Sequence, residues 1–178
     1  MKNALFIRYT MGQCSLGMVL VAKTNKGICH LSMDDATQSL VQHLYQSFPT
    51  AEIIEDSKNL GKTLSKVITF IEHPKEKIPV PLAMKGTAFQ ERVWKALLQT
   101  KPGETLTYTE LAQRIGKPDA VRAVASANGA NKIAVLIPCH RIIRSDGGLG
   151  GYRWGLNRKQ ILLNREAEQN KGHRLTLL

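Results

Sequence analysis

The sequence predicts an α+β fold, a small α/β unit followed by a mostly helical domain. Three observations predict it. Residues 4–33 are apolar and β-prone, with a turn signal at Asn25–Gly27. Residues 74–85 hold three prolines and little periodicity. From Gly86 onward, apolar residues recur at helical spacing behind capping residues. At 178 residues the chain can bury a usable core as one large domain or two small ones.

Residues 4–9 and 15–22 read as strands, and residues 28–33 complete a hairpin across the Asn25–Gly27 turn. Asp34 or Asp35 can cap a helix carrying Leu40, Val41, Leu44, Tyr45 and Phe48, which Pro49 ends. A second helix from near Ser57 carries Leu60, Leu64, Val67, Ile68 and Ile71 and stops at His73-Pro74. Residues 1–73 therefore form the first domain. Residues 74–85 form an extended linker, and residues 86–178 a second domain with a disordered tail from about residue 169. In that second domain, Thr87 and Gln90 have capping-box spacing ahead of Phe89, Val93, Ala96 and Leu97.

The formal net charge is +11, and it is unevenly spread. Residues 1–85 carry 10 Lys and Arg against 7 Asp and Glu, whereas residues 86–178 carry 15 against 7. A basic domain suits a polyanion, because neutralised phosphates release condensed counterions. A merely soluble basic surface is the plain alternative. The three cysteines, Cys14, Cys29 and Cys139, show no disulfide framework, which favours a reducing compartment. The N-terminal apolar stretch is too short for a signal peptide, and no run reaches membrane-spanning length. A soluble, cytoplasmic chain is expected, nucleoid-associated if bacterial, with no membrane partner.

Thr107 and Glu110 again have capping-box spacing, opening a short helix with Leu111, Ala112 and Ile115. Gly116-Lys117-Pro118-Asp119 supplies a turn, and the small-residue segment Ala120–Ala127 follows, with Arg122 among its alanines. This reads as a helix-turn-helix whose second helix can approach a duplex closely. An alanine-rich core helix with one surface arginine is the competing account.

Downstream lies Ile137-Pro138-Cys139-His140-Arg141, at the end of an apolar run and ahead of a loop with four glycines. An isolated cysteine is most often a small buried hydrophobe. Here His140, Arg141 and Arg144 make cationic surroundings that would favour the thiolate. On an extended segment adjacent side chains point apart, so proton transfer from Cys139 to His140 would need a water. The glycine loop lacks the Gly-Lys-Ser/Thr ending of a phosphate loop. A zinc site from His30, Cys14 and Cys29 fits no standard spacing, and His43 and His73 read as surface residues.

Together these residues resemble the O6-alkylguanine-DNA alkyltransferases, and in particular the alkyltransferase half of the bacterial adaptive-response protein. The matching motifs are Gly86-Thr87-Ala88-Phe89-Gln90, Thr107-Tyr108, Lys117-Pro118 through Ala127, Asn131, Pro138-Cys139-His140-Arg141, Gly150-Gly151-Tyr152, and Leu162-Leu163 leading to Glu166. The resemblance is specific over roughly residues 86–167. It implies a ribonuclease-H-like first domain and a winged helix-turn-helix-type second one.

It also implies irreversible, stoichiometric transfer of an alkyl group, chiefly methyl, from O6-alkylguanine in double-stranded DNA, with O4-alkylthymine as a further substrate. Cys139 corresponds to the acceptor, His140 to its water-mediated base and Glu166 to the carboxylate orienting that base. Tyr108 corresponds to the acid supporting the departing base, and Arg122 to the arginine filling the stack after base flipping. Thr107, Ala123, Ser126, Ala127 and Arg141 fall at the implied DNA interface. Asn131, Pro138, Ile142, Ser145, Tyr152, Arg153 and Trp154 fall around the implied base pocket. In it the Cys139 and Ile142 carbonyls would read the guanine amino group.

The resemblance implies no cofactor. Some relatives bind zinc, and none is expected here for want of four ligands. No counterpart of the cysteine-rich regulatory half lies in these residues, so no transcriptional role is expected. A monomer is expected. Trp154 stands where some relatives have glycine, which predicts a pocket that takes methyl readily and benzyl poorly. Two other readings remain, a DNA-binding module that only senses lesions and a cysteine hydrolase.

Overall fold

The strands and helices form because apolar residues alternate early in the chain and recur every three or four residues later. The computed structural model describes residues 3–176, with side-chain surroundings up to residue 172. The chain divides into two compact units, the first formed by residues up to Glu72 with 77–84 and 132–134, the second by the rest.

The first unit holds strands β1 (Phe6–Cys14), β2 (Gly17–Thr24), β3 (Gly27–Asp34) and β4 (Glu52–Glu55), with helices α1 (Thr37–Ser47) and α2 (Ser57–Glu72). The sheet order is β3-β2-β1-β4; β1–β2 and β2–β3 run antiparallel, and β4 joins β1 in parallel. Ile7, Tyr9, Leu20, Ala22, Cys29 and Ile53 pack with Leu40 and Leu44 of α1. Each fully buried leucine of this kind contributes roughly 1.5–3 kcal/mol. Gly12, of opposite parity on β1, admits α2, since a Cβ there would sit 2.8 Å from Leu64 Cδ2.

Two expectations change in detail, and two features add to the reading. Helix α1 starts after Ala36 without a side-chain cap, and Asp34 instead accepts from the Ala36 amide just ahead of it. Tyr45, expected on the apolar stripe, is largely exposed. Strand β4 is only four residues long, too short for a sequence period to show. The extended linker pairs with the first unit's sheet: Pro81 O accepts from Ile28 N at 2.9 Å, and Ala83 N donates to Ile28 O at 2.8 Å. Gly27 allows this approach at φ +145°, because a Cβ would meet Pro81 O at 2.5 Å.

The second unit holds α3 (Ala88–Leu98), β5 (Leu106–Thr107), α4 (Tyr108–Arg114), α5 (Val121–Gly129), a 3-10 turn (Cys139–Arg141), β6 (Ile142–Ile143) and α6 (Leu156–Thr176). Both expected capping boxes form, Thr87 with Gln90 and Thr107 with Glu110. Gly116 turns the chain between α4 and α5 at φ +72°. Trp94 of α3 donates its indole N–H to Ala127 O at 2.9 Å, which fixes α5. Residues 169–176, expected as a disordered tail, continue α6, with residues 177–178 outside the described residues, and Asn170 Nδ2 donates to Pro102 O at 3.1 Å. No described helix is long and apolar enough to cross a membrane.

Candidate active site

Cys139 opens the 3-10 turn rather than lying on an extended strand, and it is buried. Its approach is unusual: Val135, a β-branched residue, takes φ +66° just before the Leu136-Ile137-Pro138 segment. Asn131, buried beneath the turn, donates to Ile137 O at 2.9 Å and to Cys139 Sγ at 3.3 Å. One side chain thus supports both the backbone before the thiol and the thiol itself.

The turn sends the next two side chains to one carboxylate. His140 Nε2 lies 2.8 Å from Glu166 Oε1 on α6. Arg141 donates from Nε and Nη2 to Glu166 at 3.0 and 2.9 Å, and from Nη1 to Thr100 O at 2.8 Å. The Gly103 amide also donates to Glu166, at 3.2 Å. Burial would raise the Glu166 carboxyl, but the hydrogen bonds and charges of His140 and Arg141 outweigh it and hold it at about 2. Burial pushes His140 below its ordinary value despite Glu166. The histidine is then neutral, its Nε2–H donates to Glu166, and Nδ1 is left buried without a partner.

Two expectations about charge are overturned here. Arg141, placed at the DNA interface by resemblance, is buried with its guanidinium committed to Glu166 and Thr100. The cationic surroundings expected to favour the thiolate are also spent: Arg141 is paired, His140 is neutral, and exposed Arg144 pairs with Asp146 at 2.6 Å. Burial pushes the Cys139 thiol up to about 11, with the Asn131 hydrogen bond opposing the rise. The resting group is a thiol.

A pocket of about 410 Å³ opens over Cys139, lined by Tyr108, Ala125, Asn128, Gly129, Gly151, Tyr152, Arg153 and Trp154. Tyr108 is half-buried, and burial raises its hydroxyl pKa. Its oxygen lies 2.9 Å from where a Cβ on Gly150 would stand, and Gly150 has φ +71°. Tyr152 and Trp154 meet edge to face with centroids 5.2 Å apart. Arg153 Nη1 donates to Asn131 O at 3.1 Å, linking the pocket wall to the support beneath it.

Of the other expected pocket residues, Asn131, Pro138 and Ile142 are buried beside this wall rather than lining it, and Ser145 sits on an exposed turn. On α5, Arg122, Ala123 and Ser126 are exposed, whereas Ala127 is buried under Trp94 and cannot face a duplex. Thr107 spends its hydroxyl on the Glu110 amide as the α4 cap. Cys29 and His30 are buried on β3, with His30 Nε2 3.1 Å from Ser32 Oγ, and no group of three or more His, Cys, Asp or Glu among the described residues could hold a metal ion.

Sequence reasoning missed several residues, Asn128 and Lys159 among them. Asn128 lines the pocket one helical turn after Ala125, which also lines it. Lys159 is fully buried, and its ammonium donates to the carbonyls of Ile142, Leu149 and Gly151, tying the glycine loop to β6. Burial lowers its pKa to about 8. A lysine in the polar run Asn157-Arg158-Lys159-Gln160 gives no sign of this.

The DNA-binding domain model of 6-O-methylguanine DNA methyltransferase matches residues 88–168. The chain is 46% identical over 167 residues to the bifunctional transcriptional activator/DNA repair enzyme Ada of Escherichia coli, covering 94% of this chain and 47% of that protein. It thus spans about half the length of that relative. It is 40% identical to the methylated-DNA–protein-cysteine methyltransferase of Methanosarcina barkeri, covering 89% of this chain and 96% of that one. Among solved structures, Mycobacterium tuberculosis OGT in complex with DNA superposes with TM-score 0.74 at 33% identity, covering 92% of this chain and 94% of that one.

Proposed function

Because the chain belongs to the methylated-DNA–protein-cysteine methyltransferase family, we propose that it repairs DNA by moving an alkyl group, chiefly methyl, from O6-alkylguanine to Cys139. The observation that carries this reading is the buried chain of partners from Cys139 through Asn131 on one side and from His140 to Glu166 on the other.

The chemistry needs a thiolate at the moment of transfer, and a thiol at about 11 supplies little of it near neutral pH. His140 is the base. Its Nε2–H is fixed on ionised Glu166, which leaves the Nδ1 lone pair to receive the Cys139 proton through a water. The sulfur–carbon bond forms as the carbon–O6 bond breaks, and the electron pair stays on the guanine, which regains a proton at N1. Tyr108, which lines the pocket, is the donor that supports the departing base. A thioether has no easy reverse reaction, so each molecule acts once.

An alkyl carbon on a stacked, paired base cannot reach a buried sulfur, so the nucleotide must be flipped, at a few kcal/mol. We assign the filling of the gap in the stack to Arg122, which is exposed on α5 beside Ala123 and Ser126. We read the β3-β2-β1-β4 sheet as ribonuclease-H-like, with β4 parallel to β1, and the α4–turn–α5 pair with β5 and β6 as a winged helix-turn-helix.

The test is intact-protein mass after incubation with a duplex holding one O6-methylguanine, run beside Cys139→Ala. One methyl added to the wild type, and none to the variant, supports the reading. Tight binding with unchanged mass would replace it with a lesion sensor.

A further inference from the structure

We propose that Val135 is a positioning residue for alkyl transfer, its strained backbone locked by a stiff buried side chain so that the segment leading to Cys139 keeps one course. The inference rests on the proposed function and adds to it a residue that acts through the Cys139 turn.

Among the described residues other than glycine, Val135 alone has a positive φ, +66°. A side chain branched at Cβ crowds its own backbone there, which makes valine one of the residues least suited to the position. Glycine would take it without that penalty. Such strain persists only where the surrounding structure fixes the chain on both sides.

Both sides are fixed here. Just before Val135, Lys132 O accepts from Leu31 N and Ala134 N donates to Leu31 O, each at 3.0 Å. Just after it, Ile137 O accepts from Asn131 Nδ2 at 2.9 Å and from the Cys139 amide at 2.8 Å. Residues 134–136 turn the chain between these anchors. Val135, Leu136 and Ile137 are each no more than 3% exposed.

Glycine would relax this turn, but it would also let residue 135 visit negative φ. A buried β-branched side chain is restricted in rotamer and cannot swing without emptying a close-packed site. A backbone flip at residue 135 would carry Leu136, Ile137 and the Cys139 turn with it. In-line displacement needs sulfur and carbon about 3–3.5 Å apart and aligned, and a misplacement of about 1 Å costs about a hundredfold. The strained valine therefore keeps the thiol in one place.

The test measures single-turnover transfer at saturating O6-methylguanine duplex, DNA affinity and thermal melting. It uses the wild type, Val135→Gly, Val135→Ala and Val135→Ile, with rates read well below each melting temperature. Transfer should slow at least about tenfold in Val135→Gly and about threefold in Val135→Ala, while DNA affinity stays within about twofold because α5 is untouched. Val135→Ala carries the test should the glycine variant not fold. Val135→Ile keeps the branch at Cβ and should transfer within about threefold of the wild type. Backbone ease ranks glycine first, so the expected order of rates runs against it. Folded glycine and alanine variants that transfer at the wild-type rate would show strain merely tolerated by the core and overturn the proposal. Equal losses in rate and affinity, or an isoleucine variant as slow as the glycine or alanine one, would overturn it as well. Transfer by none of the four proteins, wild type included, would overturn the proposal together with the reading beneath it.

Discussion

His140 and Glu166 face each other at 2.8 Å with both side chains almost wholly removed from solvent. The same carboxylate is gripped by Arg141, the next residue along. Two consecutive side chains can converge this way because the 3-10 turn brings them to one side, which an extended strand would not. Glu166 thus orients the base and neutralises a buried guanidinium at once.

Glu166→Gln should therefore cost more than a hydrogen bond. It leaves Arg141 charged, buried and unpaired, a loss of roughly 3–5 kcal/mol by comparison with other broken buried pairs. The pH dependence has a definite sign. The folded carboxyl sits at about 2, below its ordinary value near 4.5, so its stabilisation is complete above about 4.5. It is lost as pH falls from there toward 2. Urea denaturation from pH 7 to 3 should show wild-type stability falling through that window and the variant falling less. Parallel curves would remove the ion pair from the stability argument.

The rate of alkyl transfer should report His140 rather than Cys139. With a neutral histidine as base, single-turnover rates should stay level from about pH 7 to 9 and drop only below its ordinary value near 6.5, because burial pushes His140 down. In His140→Gln the base is gone and free thiolate must do the work. Its rate should be at least about a hundredfold lower at pH 7 and climb about tenfold per pH unit toward 11. A wild-type rate that climbs in the same way would leave the histidine without a role in deprotonation.

Gly150→Ala tests how the loop holds Tyr108. The position combines φ +71°, which alanine adopts at a cost, with a Cβ placed 2.9 Å from the Tyr108 oxygen. Something must shift, and the phenol is the movable partner. Transfer should slow about tenfold or more, while DNA affinity changes less than about twofold, since the α5 surface is untouched. Equal losses in both would show that the loop, and not Tyr108 alone, has moved.

Local signals made much of this legible. The capping boxes at Thr87 and Thr107, the Gly116 turn and the β2–β3 hairpin are short-range features, and each formed as its residues required. Cys139 and His140 stand out from their own neighbours in the sequence, whereas Glu166 is reached only through motif resemblance, which carries long-range pairing that periodicity cannot. What escaped depends on tertiary burial. Arg141 looks like a phosphate ligand until Glu166 and Thr100 enclose it, and Lys159 looks solvated until three carbonyls surround its ammonium. Ala127 belongs to the same class, because only the Trp94 indole shows that it faces inward. Strand β4 escaped because four residues carry too little pattern.

Trp154 sets the last prediction, the size of alkyl group accepted. Its ring lies almost wholly buried in the pocket wall, edge-on to Tyr152 at 70° and with the Arg153 guanidinium 6.0 Å from its centroid. A buried ring packed edge to face against a second aromatic swings aside less readily than a free one, so a benzyl group meets a fixed wall. The wild type should transfer methyl much faster than benzyl. Trp154→Ala should destabilise the fold by roughly 3–5 kcal/mol, the usual cost of emptying a buried tryptophan site. In the variant that still folds, the benzyl-to-methyl rate ratio should rise at least about tenfold, because the space vacated exceeds several methylene groups. Rates on O6-methyl- and O6-benzylguanine duplexes, measured below the melting temperature of the variant, decide it. An unchanged ratio would mean that some other residue limits the alkyl group.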